Sequence, residues 1–213
     1  MLRSLLSPAP ALRGASRLPT FPGIRKDVQA AELVTLMITG AGAALLSTYL
    51  DFNLALPGHR IVLSIFPMAM GFGLVPRRGA GSIMGASATL TISALGLAGA
   101  RVPGVGGLTS LLLVGPLLDV ALRRGRGGWR LYAAFVLAGA LSNAAAFAVR
   151  AGAKLAGLRG TGGGRTLAAW LPLSVWTYTA AGILAGLISA AAWFHWRDRH
   201  GAGPGDAPFV EPD

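Results

Sequence analysis

Six apolar segments, separated by short polar stretches, follow one another between residues 30 and 196. They occupy residues 30–50, 61–75, 79–98, 108–122, 131–149 and 167–196. A helix needs about 20 apolar residues to cross a bilayer, so the second and fourth segments are short and their neighbouring loops are expected to dip into the bundle. Backbone groups in lipid must be paired internally, which makes helices the expected form. The pattern predicts an all-α integral membrane protein with six transmembrane helices.

Composition agrees with this class. Of 213 residues, 53% are hydrophobic and 13% are charged, and the mean hydropathy is +0.58. A soluble domain carries about 25% charged residues. The chain has no cysteine, which excludes disulfides and thiolate metal sites.

The charge distribution predicts an orientation. The net charge of +11 is that of many nucleic-acid-binding proteins, but here the arginines fall in the tails and loops of a membrane protein, so no nucleic acid partner is expected. Placing both termini in the cytoplasm puts 13 of the 19 Lys and Arg residues inside and 6 outside. The positive-inside rule therefore favours an N-in, C-in bundle in the inner (plasma) membrane.

Two tails flank the predicted membrane domain, which covers residues 30–196. Residues 1–29 are rich in Arg and Pro and are expected to form a disordered cytoplasmic tail. An organelle transit peptide shares the Arg-rich, acid-poor composition, although Ser is sparse here. Residues 197–213 combine Gly, Pro and acids and are expected to be a second disordered tail.

Motifs of catalysis and metal binding are missing from the sequence. There is no HExxH, GxSxG or Walker P-loop, and the three histidines are scattered. These observations predict no enzyme activity, no cofactor and no metal site.

Polar residues within the apolar segments are costly and therefore informative. Asp119 lies one helical turn before Arg123, which predicts an ion pair or, alternatively, a contact with a cytoplasmic partner. Glu32 opens the first segment, where a helix N-terminus favours an acid. Asn143 lies in the middle of the fifth segment and is equally compatible with substrate binding and with a hydrogen bond to another helix.

The outer ends of the predicted helices carry a candidate small-molecule site. The loop after the first segment combines aromatic, acidic, amide and basic side chains, as a small-molecule site requires, or forms a solvated turn at Pro57–Gly58. Trp176 and Tyr178 belong to an aromatic cluster at the start of the sixth segment, which fits either an interfacial belt or ring stacking on a ligand. The predicted substrate-binding residues are Asp51, Asn53, His59, Arg60, Asn143, Trp170, Trp176 and Tyr178.

Small residues recur at GxxxG-like spacing, as in Gly81–Gly85, Gly182–Gly186 and the pair Gly40–Ala44. Such positions allow close approach of helix backbones, either within the bundle or against a partner membrane protein. Gly40, Ala44 and Asp119 are the candidate partner-docking residues.

Taken together, the stretches PGHRIVLSIFPMAMGFGLVPRRGAGSIMGASATL and LTSLLLVGPLLDVAL resemble the substrate-binding S components of energy-coupling factor (ECF) transporters. The matching features are Pro57–Gly58 in the loop before helix 2, the basic turn at Arg77–Arg78 and the Gly-rich third helix. The resemblance covers residues 30–196. The Ala-xxx-Ala pattern that family members often carry on helix 1 is replaced here by Ala31, Thr35 and Thr39, or by Gly40 and Ala44.

The resemblance implies uptake of a vitamin or precursor bound in an outer pocket. It also implies a transmembrane coupling subunit and cytoplasmic ATPases as partners. Two alternatives are a membrane assembly or scaffold protein without a ligand, and a lipid-acting membrane enzyme.

Overall fold

The computed structural model describes residues 30–50, 58–123, 128–157 and 167–195. These residues form six α-helices: α1 (Ala30–Tyr49), α2 (Ile61–Leu74), α3 (Ala80–Leu97), α4 (Val105–Leu122), α5 (Trp129–Leu155) and α6 (Leu167–Ala190), which a π-helical turn (Ala191–His195) continues. No strand occurs within these ranges. Five helical segments are long and apolar enough to cross a membrane, and α2 is shorter. An all-helical, multi-pass membrane architecture is therefore confirmed.

The largest difference from the predicted boundaries lies in α5. The apolar pattern ends at residue 149, whereas the helix continues to Leu155. Arg150 and Lys154 interrupt the hydrophobicity but not the backbone hydrogen bonds, since both residue types are good helix formers. At about 1.5 Å per residue, α5 is roughly 40 Å long.

The helix α2 occupies the centre of the bundle. It packs against α1, α4 and α6, with smaller contacts to α3 and α5. The outer helices follow one another around it in the order α1, α3, α4, α5, α6, because each of these neighbours packs on the next. Ten of the 14 residues of α2 are buried. Because α2 has a length of only about 21 Å, it does not fill the full height of the bundle that surrounds it.

Asp119, near the end of α4, caps the start of α3. Its Oδ1 accepts a hydrogen bond from the Gly81 amide at 3.0 Å, and its Oδ2 accepts from the amide and the hydroxyl of Ser82, each at 2.7 Å. The first amides of a helix lack intrahelical acceptors, and a carboxylate satisfies them well. The expected pairing of Asp119 with Arg123 is thus replaced by a bond between helices.

Glu32 and Arg77 close the same end of the bundle. Arg77 donates from Nε to Glu32 Oε2 and from Nη2 to Glu32 Oε1, both at 2.8 Å. This two-point contact joins the first turn of α1 to the turn between α2 and α3. Glu32 therefore lies at a helix N-terminus, as predicted, and also contributes a tertiary contact that the sequence pattern does not contain.

Glycines allow the outer helices to touch through their backbones. Gly81 of α3 and Gly115 of α4 lie so close that a Cβ at either would collide with the carbonyl of the other. Gly139 of α5 and Gly182 of α6 form the same kind of contact. The GxxxG spacing in α3 and α6 thus serves packing inside the bundle.

Gly40 and Ala44 also pack inside the bundle. Ala44 is fully buried, and Gly40 lies against the backbone of Met84 on α3. Both residues are therefore covered in this structure and contribute to packing within the bundle. Small residues four positions apart fit a contact between α1 and α3 as well as a contact with a partner protein. The spacing in the sequence does not distinguish these two kinds of contact.

We expect the D119A variant to lose about 1–2 kcal/mol of stability, the usual effect of removing a helix cap. The S82A control, which loses one of the three hydrogen bonds, should lose less. Thermal unfolding of the purified protein in detergent measures both. A larger effect of R123Q than of D119A would instead support the ion pair expected from the sequence.

We expect G115A to destabilise the bundle by about 1–3 kcal/mol, because the added methyl group must push α3 and α4 apart. Gly42 of α1 provides a matched control, since a Cβ there meets no atom within 4 Å. G42A should be neutral or stabilising by up to about 1 kcal/mol. Equal unfolding temperatures for the two variants would contradict the close α3–α4 contact.

Candidate functional site

The start of α2 lies deep in the bundle, where Asn143 of α5 holds it. The Asn143 side-chain nitrogen donates to the Gly58 carbonyl at 3.2 Å and to the Tyr178 carbonyl at 2.6 Å. Asn143 lies twelve residues before the last residue of α5, which is about 18 Å along a helix axis. The turn before α2 therefore lies well inside the bundle, about 18 Å along the helix axis from the end of α5.

Gly58 makes this close approach possible. Its φ of +86° lies in the left-handed region, which glycine adopts without strain. A Cβ at this position would lie 2.9 Å from the Asn143 side chain and 2.9 Å from the Tyr178 Cα. Gly58 thus has a structural role where the cavity meets the start of α2, whereas Pro57 lies outside the described residues.

A cavity of about 500 Å³ lies next to the start of α2. Residues from α1, α2, α4, α5 and α6 line it, together with the turns before α2 and α4. The volume falls within the range of small-molecule sites. Irregular backbone at membrane depth is tolerated where it lines such a cavity, as the turn at Gly58 does here.

Serine hydroxyls from three helices line the cavity. Ser47 of α1 and Ser64 of α2 face each other with their oxygens 3.5 Å apart. Ser110 of α4 lies 3.2 Å from the hydroxyl of Ser142 on α5, which also donates to the Ser110 carbonyl at 2.9 Å. These hydroxyls can donate or accept and so can bind several polar groups. The apolar part of the cavity wall consists of Ile61, Pro103, Val105, Leu111 and Ala146.

The charged part of the lining is basic. Arg150 of α5, together with His59 and Arg60 before α2, contributes to the cavity, and the lining within the described ranges contains no carboxylate. Arg150 Nη1 donates to the Tyr178 hydroxyl at 3.1 Å. The Tyr178 ring also packs against the Phe147 ring, and their centroids are 5.6 Å apart. Tyr178 thereby fixes one side of the guanidinium group.

The start of α4 forms another part of the wall. Gly104, Gly106 and Gly107 all line the cavity, so backbone rather than side chains faces the space there. A Cβ at Gly106 would lie 3.0 Å from the Ala146 carbonyl and 3.6 Å from the Arg150 Cβ. The positive end of the α4 dipole and Arg150 are therefore neighbours.

The structure brings together four of the eight residues predicted to bind substrate. His59, Arg60, Asn143 and Tyr178 all line the cavity. Asn143 makes the hydrogen bonds to other segments that were one of its two expected roles, and it also lines the cavity.

Of the other four candidates, one lies away from the cavity and three cannot be assigned from the described residues. Trp176 is 76% exposed on the surface of α6 and does not line the cavity. Trp176 lies two residues before Tyr178, which is about 200° around the helix, so its side chain points outward, as in an interfacial belt. Asp51 and Asn53 lie outside the described residues, as does the side chain of Trp170.

Arg150 and the serines were missed by reasoning from the sequence. Arg150 follows the last apolar position of the segment 131–149, so hydropathy alone predicts a loop there. A reading at helical spacing would have found this residue, since Asn143 and Arg150 are seven residues apart and thus lie on one face of a helix. The serines gave no comparable signal.

We expect N143A to lower stability by about 1–3 kcal/mol, because the Gly58 and Tyr178 carbonyls lose a buried donor. Thr109, whose hydroxyl bonds only within α4 at an exposed position, provides the control. T109A should change stability by less than about 0.5 kcal/mol. Thermal unfolding in detergent compares them, and indistinguishable unfolding temperatures would show that Asn143 does not hold the start of α2.

In comparisons with known proteins, no family model, no curated protein and no solved structure matches this chain.

Proposed function

We propose that this chain is the substrate-binding component of a membrane uptake system for a small molecule. The observation that carries the proposal is the cavity above the start of α2, with its volume of about 500 Å³. Binding sites of this kind combine an apolar wall with a few converging polar groups. The serines, Asn143 and Arg150 provide such groups, and residues from five helices supply the wall.

Two helices that begin beside the cavity support a transport role. Transporters place their substrates near helix ends that stop within the membrane, because backbone groups and helix dipoles become available there. α2 begins at such a depth, and α4 begins at the same cavity. The resemblance to S components of ECF transporters is a second support, and it implies a coupling subunit and ATPases as partners.

We place the cavity on the outer side of the inner membrane, with both termini in the cytoplasm. The end of the bundle opposite the cavity carries Arg77, Arg78, Arg123 and Arg130, and basic residues favour the cytoplasmic side. All six helices cross or enter the membrane in this arrangement, with α2 enclosed by the others.

The absence of cysteine permits a direct test of orientation. Single cysteines at Arg78 and at Arg101 mark the two ends of the bundle, and a membrane-impermeant maleimide is added to whole cells. R101C should react and R78C should react only after the membrane is opened. The reverse pattern would place the cavity in the cytoplasmic half.

Uptake tests the function itself. Cells that express the chain together with a coupling subunit and ATPases should accumulate a labelled vitamin or precursor several-fold over cells that express the coupling module alone. The G58V variant provides a control, because its side chain would collide with Asn143 and Tyr178 and so disturb the cavity. Equal accumulation with and without the chain, across a panel of vitamins, would contradict the proposal and favour an assembly role.

A further inference from the structure

The cavity's charge carries information about its ligand. Arg150 projects from α5, whereas His59 and Arg60 belong to the turn that opens α2, so basic groups reach the space from two separate elements. Cationic side chains are expensive to hold at membrane depth. Charged side chains at this depth mark substrate and ion pathways in membrane proteins, which makes this lining a specific feature of the site.

Arg150 has the geometry for an oxyanion. A guanidinium presents its N–H donors in a planar fork that matches a carboxylate or a phosphate. The Tyr178 hydroxyl accepts from Nη1 at 3.1 Å, and Tyr178 itself is only 5% exposed. The arginine is therefore held by a buried residue and does not move freely as a surface side chain does.

The backbone beside Arg150 has the same electrostatic sign. Gly106 at the start of α4 lies next to the Arg150 Cβ, and the N-terminal end of a helix carries partial positive charge. A Cβ at Gly104 would meet no atom within 4 Å, so open space lies beside the backbone at the start of α4. The helix start adds to the site that Arg150 defines.

The rest of the lining is apolar or neutral. Ile61 and Leu111 supply hydrocarbon surface, and Ser64 and Ser110 supply hydroxyls. A ligand that matches the whole cavity would thus combine one anionic group with an apolar body and one or two neutral polar groups.

We propose that the ligand of this cavity is a small organic anion whose carboxylate or phosphate group binds Arg150 and whose body packs on Ile61 and Leu111. This inference rests on the proposed binding function and adds the chemical class of the ligand. The same anionic chemistry is offered by two sources, a free metabolite and the head group of an anionic lipid, which the experiment separates.

The test uses the full-length protein in neutral detergent and matched probes of one size. Benzoate and phenyl phosphate carry the anionic group, and benzamide is the uncharged partner of benzoate. Dihexanoyl phosphatidylglycerol is compared with dihexanoyl phosphatidylcholine in a second arm. A ligand that binds only the folded state raises the unfolding temperature with its concentration, which yields a Kd for each probe.

We expect the anions to bind at least about tenfold more tightly than benzamide. R150Q should raise the Kd of both anions by about tenfold to a hundredfold, the usual effect of losing a charged hydrogen-bond donor. The same variant should change the Kd of benzamide by less than about twofold. R101Q is the matched control: it removes the same charge from an exposed position at the same end of the bundle, outside the lining. It should leave all affinities unchanged.

Two further variants keep the test decisive if R150Q does not fold. R150K retains the charge without the fork and should weaken anion binding less than R150Q. Y178F retains the guanidinium but removes the acceptor that positions it, and should weaken anion binding several-fold. The comparison of benzoate with benzamide on the unaltered protein needs no variant.

Each outcome has a distinct meaning. Equal or tighter binding of benzamide overturns the anionic ligand and leaves the proposed binding function in place. Anion binding that R150Q does not weaken overturns the assignment to Arg150. Binding of phosphatidylglycerol alone, lost in R150Q, supports the anion site but overturns the soluble metabolite. Absence of binding for every probe, charged and neutral, overturns both the inference and the proposed function.

Discussion

The hydrogen bonds of Asn143 determine where α2 begins, and the shape of the site depends on that position. One amide joins the Gly58 carbonyl before α2 to the Tyr178 carbonyl within α6. Asn143 is 2% exposed, so these bonds form in a largely shielded position, where an unpaired carbonyl is costly. Because the turn is held at this depth, α2 leaves the upper part of the bundle unfilled.

The opposite end of the bundle is built differently. There, helix ends meet through charge: Asp119 receives the first amides of α3, and Glu32 pairs with Arg77. Between the two ends, glycine contacts such as Gly81 with Gly115 bring outer helices to backbone contact. Lipid offers little hydrophobic force between helices, so close packing and polar bonds hold such a bundle. The closed end and the open, basic end thus arise from different residues and can be altered separately.

The helices could largely be predicted from the sequence, because long apolar runs leave few other structures in a membrane. The short second segment was also predicted to have neighbouring loops that enter the bundle, and the Gly58 turn does so. What the pattern could not supply was partner choice. Asp119 has Arg123 within reach along the chain, but the α3 amides approach it only after the helices pack. Gly40 has the spacing of a docking face, yet α3 covers it.

The candidate site was predictable to the same limited degree. His59, Arg60, Asn143 and Tyr178 were identified as unusual polar or aromatic residues in an apolar setting, and they do line one cavity. Trp176 shares their composition signal but points away, since neighbouring residues on a helix face different directions. Arg150 was missed because a hydropathy boundary was taken as a helix boundary. Its relation to Tyr178 depends on how α5 and α6 pack, which local sequence does not specify.

The proposed binding function requires that water and solutes reach the cavity at the start of α2. Reaction of single cysteines with a charged, water-soluble thiol reagent tests it most directly, since only a hydrated thiol ionises and reacts. Ser64 lines the cavity, whereas Ala144 follows Asn143 and is exposed on the outer face of α5. We expect S64C to react at least about tenfold faster than A144C, which lipid shields. Equal, slow reaction of both cysteines would contradict an accessible cavity at the start of α2 and the binding function proposed for it.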